Sequence, residues 1–134
     1  MTDHEPIPKT PAAQLLGREI VSVNDETGEV TLRFVAKPEF ANRHGTVQGG
    51  FLAAMLDSAT GMAVMLSLPL DMTAVTTRLD VSYLKPASIG PLRATSRVVR
   101  RDARSADVEA QLTNENSLVL ATAKAELRIV PRKT

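Results

Sequence analysis

The stretch Asn42-Arg43-His44-Gly45-Thr46-Val47-Gln48-Gly49-Gly50, followed after six more residues by Asp57, decides how the whole chain is interpreted. A polar loop punctuated by glycine leads directly into a strongly apolar segment, residues 51–70, in which Asp57 is the one charged residue. Burying a carboxylate among apolar side chains costs free energy unless the group is paired or has a chemical task. We therefore expect the chemistry of this protein to centre on Asp57.

The apolar segment has two interpretations, a membrane span or a buried helix. Its length is about the 20 residues that cross a bilayer. A charge inside such a span costs roughly 2.5–3.5 kcal/mol on insertion scales, and no basic cluster flanks the segment. A helix enclosed by protein on most sides explains the same residues more simply. We predict one long central helix from Gln48 to about Leu66 and no membrane partner.

Length, charge and composition limit the classes of protein to be considered. The 134 residues fit one domain with its own core. A formal net charge of +1 and the scarcity of aromatic residues argue against nucleic acid as a partner. The absence of cysteine excludes disulfides, thiolate catalysis and zinc–thiolate sites, and the two histidines lie too far apart to predict a metal site. No signal-peptide pattern begins the chain, so we expect a cytoplasmic protein.

Alternating apolar and polar residues predict strands on both sides of the central helix. The predicted strands cover residues 19–23, 30–35, 74–84, 92–101, 106–113 and 118–130, and a short helix covers residues 12–17. The order β-β-α-β-β-β-β predicts an α+β domain in which a strongly curved antiparallel sheet wraps around one helix. Residues 1–11, with three prolines, are expected to be a flexible lead-in, and residues 12–134 the domain.

The first strand after the helix carries a strict alternation. In this pattern Val75, Thr77, Leu79, Val81 and Tyr83 share one face, and Thr76 lies on the other. We therefore expect the side chain of Thr76 to face away from the core.

The paired glycines and Asp57 are the strongest candidates for chemistry. The first N–H groups of a helix have no partner within the helix, so the start at Gly49-Gly50 could polarise a carbonyl oxygen. An apolar setting would raise the pKa of Asp57 and suit it to act as a general base or a nucleophile. The alternatives are a purely conformational need for glycine and a structural carboxylate bonded to the backbone or to Thr60.

The spacing of these two features predicts an assembly. Gly49 and Asp57 are eight residues apart, which corresponds to about 12 Å along a helix. They cannot both contact one small reacting group within one chain. If both act on the same bond, Asp57 must come from a second copy whose helix runs antiparallel, so the spacing predicts a two-fold dimer with its sites at the interface.

The remaining candidates are weaker when taken alone. Asn42 and Gln48 are amides that could orient a water or donate to a carbonyl, but each also suits a turn or a helix cap. His44 is interpreted as a loop residue. The basic residues Arg100, Arg101 and Arg104 are either a solvated strand end or a landing site for a phosphorylated handle, for which the guanidinium fork is well shaped.

The motif Asn-x-x-Gly-Thr-x-x-Gly-Gly-(six)-Asp, followed by a strand that ends Tyr83-Leu84-Lys85-Pro86-Ala87, resembles the hot-dog fold acyl-CoA thioesterases of the PaaI-like type, which belong to the phenylacetate-pathway and hydroxybenzoyl-CoA thioesterase superfamily. The resemblance in layout covers roughly residues 12–130. It implies a hot-dog fold, in which a curved antiparallel sheet wraps around one long central helix. It also implies a homodimer with the two helices packed centrally, often paired again into a homotetramer.

The resemblance also implies a role for each matching residue. Asp57 corresponds to the carboxylate that acts on the thioester, and Gly49 to the N–H that polarises its carbonyl. Asn42 corresponds to an amide that helps to place water or substrate, and Thr76 to a hydroxyl that can hold the attacking water. Many relatives have histidine where this chain has Gln48, which can donate a hydrogen bond but cannot carry a proton.

We therefore expect an acyl-CoA thioesterase that uses no metal or other cofactor, coenzyme A being part of the substrate. The alternative from another class is a non-catalytic module that binds or senses acyl-CoA on the same fold. A dehydratase on this fold is a third option, but His44 lies on the wrong side of the glycines to supply the aspartate–histidine pair of such a site. The sequence leaves open the acyl group and whether Asp57 acts as a nucleophile or as a general base.

Overall fold

The computed structural model describes residues 9–133 and contains one sheet and one long helix. Two short helical segments accompany them: a helix at Pro11–Leu15 and a 3₁₀ turn at Pro38–Phe40. The elements in chain order are α1 Pro11–Leu15, β1 Glu19–Val23, β2 Val30–Ala36, α2 Gly49–Met65, β3 Met72–Tyr83, β4 Gly90–Arg101, β5 Ser105–Thr113 and β6 Val119–Pro131. This is the predicted order, and the α+β class is confirmed.

The six strands form a single antiparallel sheet in the order β1-β2-β4-β5-β6-β3. The core lies between the inner face of this sheet and α2, where side chains such as Phe34, Leu56, Leu112 and Leu127 are almost fully buried. Because each strand alternates its side chains, the outer face is polar. The long strand β3 occupies one edge of the sheet, and the short strand β1 occupies the other.

The predicted central helix is confirmed, with Gln48 as its N-cap and Leu66 as its C-cap. It is buried on most sides, but Gly50, Ala54 and Asp57 form an exposed line along it. The prediction that Asp57 is buried among apolar side chains is therefore wrong for a single chain. Within residues 9–133 no helix is long and apolar enough to cross a membrane.

Residues 9–11 of the expected lead-in make contacts with the elements that follow. Residues 1–8 of the expected lead-in lie outside the described part of the chain. Lys9, in contrast, forms an ion pair with Glu19 at 2.7 Å, and the hydroxyl of Thr10 accepts a hydrogen bond from the N–H of Ala13 at 3.2 Å. Residues 9–11 therefore contact α1 and β1, and the expected boundary at residue 11 stays a prediction. After α1, Gly17 has φ +64°, a left-handed conformation that suits glycine where a helix ends.

A bulge in β3 overturns the predicted orientation of Thr76. The register against β6 shifts between Thr76 and Arg78, so Thr77 is an extra residue. Thr76 pairs with Leu127 and Leu79 pairs with Ala125, and both partners belong to the buried core. Thr76 therefore faces the helix, whereas the strict alternation had turned it outward and had placed Thr77 on the core face.

Candidate active site

The N-terminus of α2 is held in place by packing and by backbone hydrogen bonds. The ring of Phe51 stacks on Phe40 with ring centroids 4.0 Å apart. The N–H of Gln48 donates to the carbonyl of Phe40 at 2.8 Å, and the N–H of Val47 donates to the carbonyl of Ala87 at 2.9 Å. These contacts fix the direction in which the first helical N–H groups point.

Two of those N–H groups are available to a ligand. Within the helix start, the N–H of Phe51 is already used, since it donates to the carbonyl of Gln48 at 2.9 Å. The N–H groups of Gly49 and Gly50 have no acceptor among residues 9–133. The side chain of Gln48 makes no capping bond and is exposed. Unpaired donors at the positive end of a helix are suited to bind an oxyanion.

The loop before the helix is organised by Asn42. Its Oδ1 accepts from the N–H of His44 at 2.9 Å and from the N–H of Thr46 at 3.2 Å. Its Nδ2 donates to the hydroxyl of Thr46 at 3.0 Å. The amide of Asn42 is thus engaged in shaping the turn, which is the local role that Asn residues often play in loops. His44 is exposed on the same loop.

The carboxylate of Asp57 lies on the exposed side of α2 and has one side-chain partner. The hydroxyl of Thr76 donates to Asp57 Oδ1 at 2.8 Å. The hydroxyl of Thr60 instead donates to the helix carbonyls of Leu56 and Asp57 at 3.0 and 3.1 Å, so it does not occupy the carboxylate. The second oxygen, Oδ2, makes no bond within the described residues and is left for water or substrate.

A cavity of about 510 Å³ opens beside Asp57, a size typical of small-ligand sites. Its walls come from α2 and β3, and they are largely apolar because of Met62, Met65 and Leu66. Two polar groups that the sequence analysis did not connect also line it. Arg18 is only 9% exposed, and its Nη1 donates to the hydroxyl of Ser58 at 2.9 Å. An arginine at the start of a strand gives no signal in the sequence, since only the fold brings it to α2.

The site is therefore divided between two positions on one helix. The N–H donors lie at the start of α2, and the carboxylate with its cavity lies eight residues further on, about 12 Å along the axis. Residues of β3 contact both positions. Thr76 in the first half of the strand contacts Asp57, and Tyr83 at its end donates its hydroxyl to the carbonyl of Gly49 at 2.9 Å.

The basic stretch is partly occupied by partners of its own. Arg100 donates to Asp107 at 2.7 Å and to Asp102 at 3.1 Å, and these hydrogen bonds, led by the one to Asp107, raise the pKa of the Arg100 guanidinium. Arg101 donates to the hydroxyl of Ser67. The side chain of Arg104 makes no hydrogen bond or ion pair with residues 9–133. Arg104 is thus the member of the predicted trio that is best placed to meet an external phosphate.

Two other features lie away from this site. A cavity of about 420 Å³ on the outer face of the sheet is lined by polar side chains such as Thr95, Gln111 and Lys124, and it contains none of the candidate residues. Within residues 9–133 no three His, Cys, Asp or Glu side chains lie close enough together to hold a metal ion.

Comparison with known proteins places this geometry in a family. The model of the thioesterase superfamily matches residues 44–121, which include α2, β3 and the part of the loop from His44 onward. The chain is 37% identical to a protein of Ralstonia eutropha JMP134, provisionally described as a thioesterase related to phenylacetic acid degradation. The structural match has a TM-score of 0.86 and covers 90% of this chain and 92% of that one. A protein of Bacillus halodurans solved with CoA is 28% identical, with a TM-score of 0.78 and coverage of 92% and 78%.

A curated relative from Halobacterium salinarum carries a provisional esterase name and is 42% identical over 86 residues. That match spans 60% of this chain and 56% of the relative, so the chain covers little more than half the length of that relative.

Proposed function

The chain belongs to the thioesterase superfamily and has the hot-dog fold, and on that premise we propose that it hydrolyses acyl-CoA thioesters to a free acid and coenzyme A. The observation that carries the proposal is the division of the site along α2. Oxyanion donors at one position and a carboxylate with an apolar cavity at the other are the two requirements of thioester hydrolysis.

The N–H donors act on the carbonyl. The thioester oxygen binds at the start of α2, where the N–H of Gly49 donates to it and the helix dipole favours the negative charge that develops during attack. The exposed amide of Gln48 borders the same point and can donate a further hydrogen bond to the substrate.

The carboxylate acts on water. Asp57 takes a proton from a water molecule as the oxygen attacks the carbonyl carbon, and the tetrahedral intermediate then expels the coenzyme A thiolate, which is protonated to the thiol. Thr76 orients the carboxylate by donating to Oδ1, and its oxygen is free to accept a hydrogen bond from the same water. Direct attack by Asp57 through an anhydride gives the same products.

The two functions meet in a dimer. β3 is a twelve-residue edge strand with an apolar exposed residue, Val75, 52% exposed. Long unpaired edges of this kind are normally covered. Pairing β3 with the same strand of a second copy runs the two helices antiparallel and brings Asp57 of one subunit to the Gly49 terminus of the other. The family resemblance adds a pairing of two such dimers into a tetramer as a further prediction.

The coenzyme A part of the substrate is supported by two observations. The Bacillus halodurans relative was solved with CoA. In this chain, Arg104 lies next to the Arg100 network on the outer side of the sheet, with no internal partner among residues 9–133. A guanidinium of this kind is suited to bind a phosphate of the nucleotide.

A panel of acyl-CoAs, from short and medium chains to aryl-acetyl groups, tests the proposal through release of free thiol. Hydrolysis of at least one member without added metal is the expected result. Binding of acyl-CoA with no thiol release by folded protein would replace the enzyme with a binding module. A single turnover in ¹⁸O-labelled water tests for nucleophilic attack by Asp57. Label in the Asp57 carboxylate requires an anhydride that water hydrolyses at the aspartyl carbon, whereas general-base attack puts label in the acid product only.

A further inference from the structure

Tyr83 makes two contacts with the first residue of α2. Its hydroxyl donates to the carbonyl of Gly49 at 2.9 Å. Its ring lies so close that a Cβ added to Gly49 would be 3.3 Å from two ring carbons. The tyrosine stands at the end of β3, and four residues later the carbonyl of Ala87 holds the N–H of Val47 at 2.9 Å. The end of β3 and the segment after it therefore contact both the helix start and the loop before it.

The hydroxyl of Tyr83 acts on a peptide group whose other end belongs to the site. The carbonyl of Gly49 and the N–H of Gly50 are parts of one planar peptide unit. A hydrogen bond donated to the carbonyl polarises that unit and strengthens donation by its N–H. The N–H of Gly50 has no acceptor among residues 9–133, so this donor is available to a ligand.

Gly50 leaves open space beside the helix start. Its φ is not positive, and a Cβ added there would meet no atom within 4 Å. Glycine in a helix costs about 1 kcal/mol relative to alanine, and nothing in the described residues requires it at this position. Close approach of a ligand or a second subunit to the backbone explains the choice.

We propose that Tyr83 is a positioning residue that fixes and polarises the Gly49–Gly50 peptide, which makes the N–H of Gly50 a second oxyanion donor beside that of Gly49. The proposal rests on the proposed thioesterase reaction. In this proposal the ring of Tyr83 packs against Gly49, and its hydroxyl strengthens hydrogen-bond donation by the N–H of Gly50.

The substitution Tyr83→Phe separates these two roles, because it keeps the ring and removes the hydroxyl. We expect kcat to fall by about 3- to 10-fold, less than the 10²–10³ that follows loss of an entire oxyanion donor, while KM changes less than about twofold. The matched control is Ser96→Ala. It also removes a hydroxyl that donates to a backbone carbonyl of α2, that of Ala59 at 2.7 Å, but in the middle of the helix. The control should lower stability and leave kcat unchanged.

The amide proton of Gly50 provides a readout that needs no substrate. Loss of the hydrogen bond to the Gly49 carbonyl should move this resonance upfield in Tyr83→Phe and leave it in place in Ser96→Ala. Tyr83 is the only tyrosine in the chain, so biosynthetic replacement of tyrosine by 3-fluorotyrosine changes this one site and preserves the fold. The more acidic phenol should move the resonance downfield while it remains protonated.

The outcomes decide between the alternatives. An unmoved Gly50 resonance in both tyrosine variants, or an unchanged kcat in Tyr83→Phe, overturns the proposal and reduces Tyr83 to packing. Equal losses of kcat in Tyr83→Phe and Ser96→Ala overturn it too, since general destabilisation would then be the cause. If wild-type protein releases no thiol, the proposed reaction fails, and the amide resonance still tests the polarisation of Gly50.

Discussion

The two ends of the site on α2 achieve preorganisation by opposite means. At the helix start the working groups are backbone N–H donors, held by the Phe40–Phe51 stack and by the hydroxyl of Tyr83. At Asp57 the working group is a charged side chain, exposed in the single chain and oriented by Thr76 through one hydrogen bond of 2.8 Å. The first half-site is complete within its own subunit. In the proposed dimer, the second half-site is enclosed by the partner subunit.

This difference predicts how each half-site fails. A backbone N–H stays in place when one side chain replaces another, unless proline is introduced. Non-proline substitutions at the helix start should therefore act through shape. A side chain can be replaced while its shape is kept, so substitutions at Asp57 should act through chemistry.

The largest effect is expected at the carboxylate. Asp57→Asn keeps the shape and removes the base or nucleophile, so kcat should fall by about 10²- to 10⁴-fold while acyl-CoA still binds. Steady-state thiol release and calorimetric binding measure the two quantities. If the variant kept most of its kcat, the carboxylate would have a structural role, and Asp57 would be neither the base nor the nucleophile.

The assignment of the half-sites to different subunits is tested next, by mixing two inactive variants. Asp57→Asn supplies one lesion. Gly50→Val is the better second lesion, because a Cβ there meets nothing within 4 Å in the chain, whereas one at Gly49 would press on the ring of Tyr83. Each proposed site combines the helix start of one subunit with Asp57 of the other. In a mixed dimer, one site therefore contains both substitutions and the other contains neither. Random reassociation should restore about a quarter of wild-type activity.

Each variant must be inactive alone and must still dimerise for the mixing experiment to count. Verified mixed dimers without any recovery would show that Asp57 acts within its own chain or not at all.

A smaller effect is expected for the predicted phosphate handle. Arg104→Met should raise KM for an acyl-CoA by up to about fivefold, the range of one exposed ion pair, and should leave KM for a short thioester without the nucleotide unchanged. Arg93→Met, which removes an exposed arginine of β4, is the control and should leave KM for both substrates unchanged. Equal effects of Arg104→Met on both substrates would make Arg104 an ordinary surface charge.

The smallest effect concerns the turn beside that arginine. The pKa of Asp102 is lowered, first by the backbone N–H of Arg104 and then by the side chain of Arg100. A carboxylate with a lowered pKa in the folded state stabilises the protein above its unfolded pKa of about 3.9, and this stabilisation disappears as pH falls through the folded value. Asp102→Asn keeps the turn and removes the charge. Its melting temperature should be slightly below that of wild type at pH 6 and should converge with it once the pH has fallen below the lowered pKa of Asp102.

The order of the elements and the outline of the site were readable from the sequence because they depend on local patterns. The period of two in the strands, the glycines at a loop–helix junction and the apolar run around Asp57 all lie within short windows. The family followed from the same motif. The eight-residue interval between Gly49 and Asp57 is a property of the helix itself, so the prediction of a dimer needs no tertiary contact, and it stays a prediction.

Long-range contacts decided what the local patterns left open or misplaced. A bulge at Thr77 turned Thr76 toward Asp57, and a bulge depends on pairing with β6, which no window of β3 reports. Arg18 reaches Ser58 across forty residues, and Tyr83 reaches Gly49 across thirty-four. The exposure of Asp57 also depends on long-range contacts. Hydropathy describes which residues avoid water, but the way the sheet closes around α2 determines which face of the helix stays uncovered.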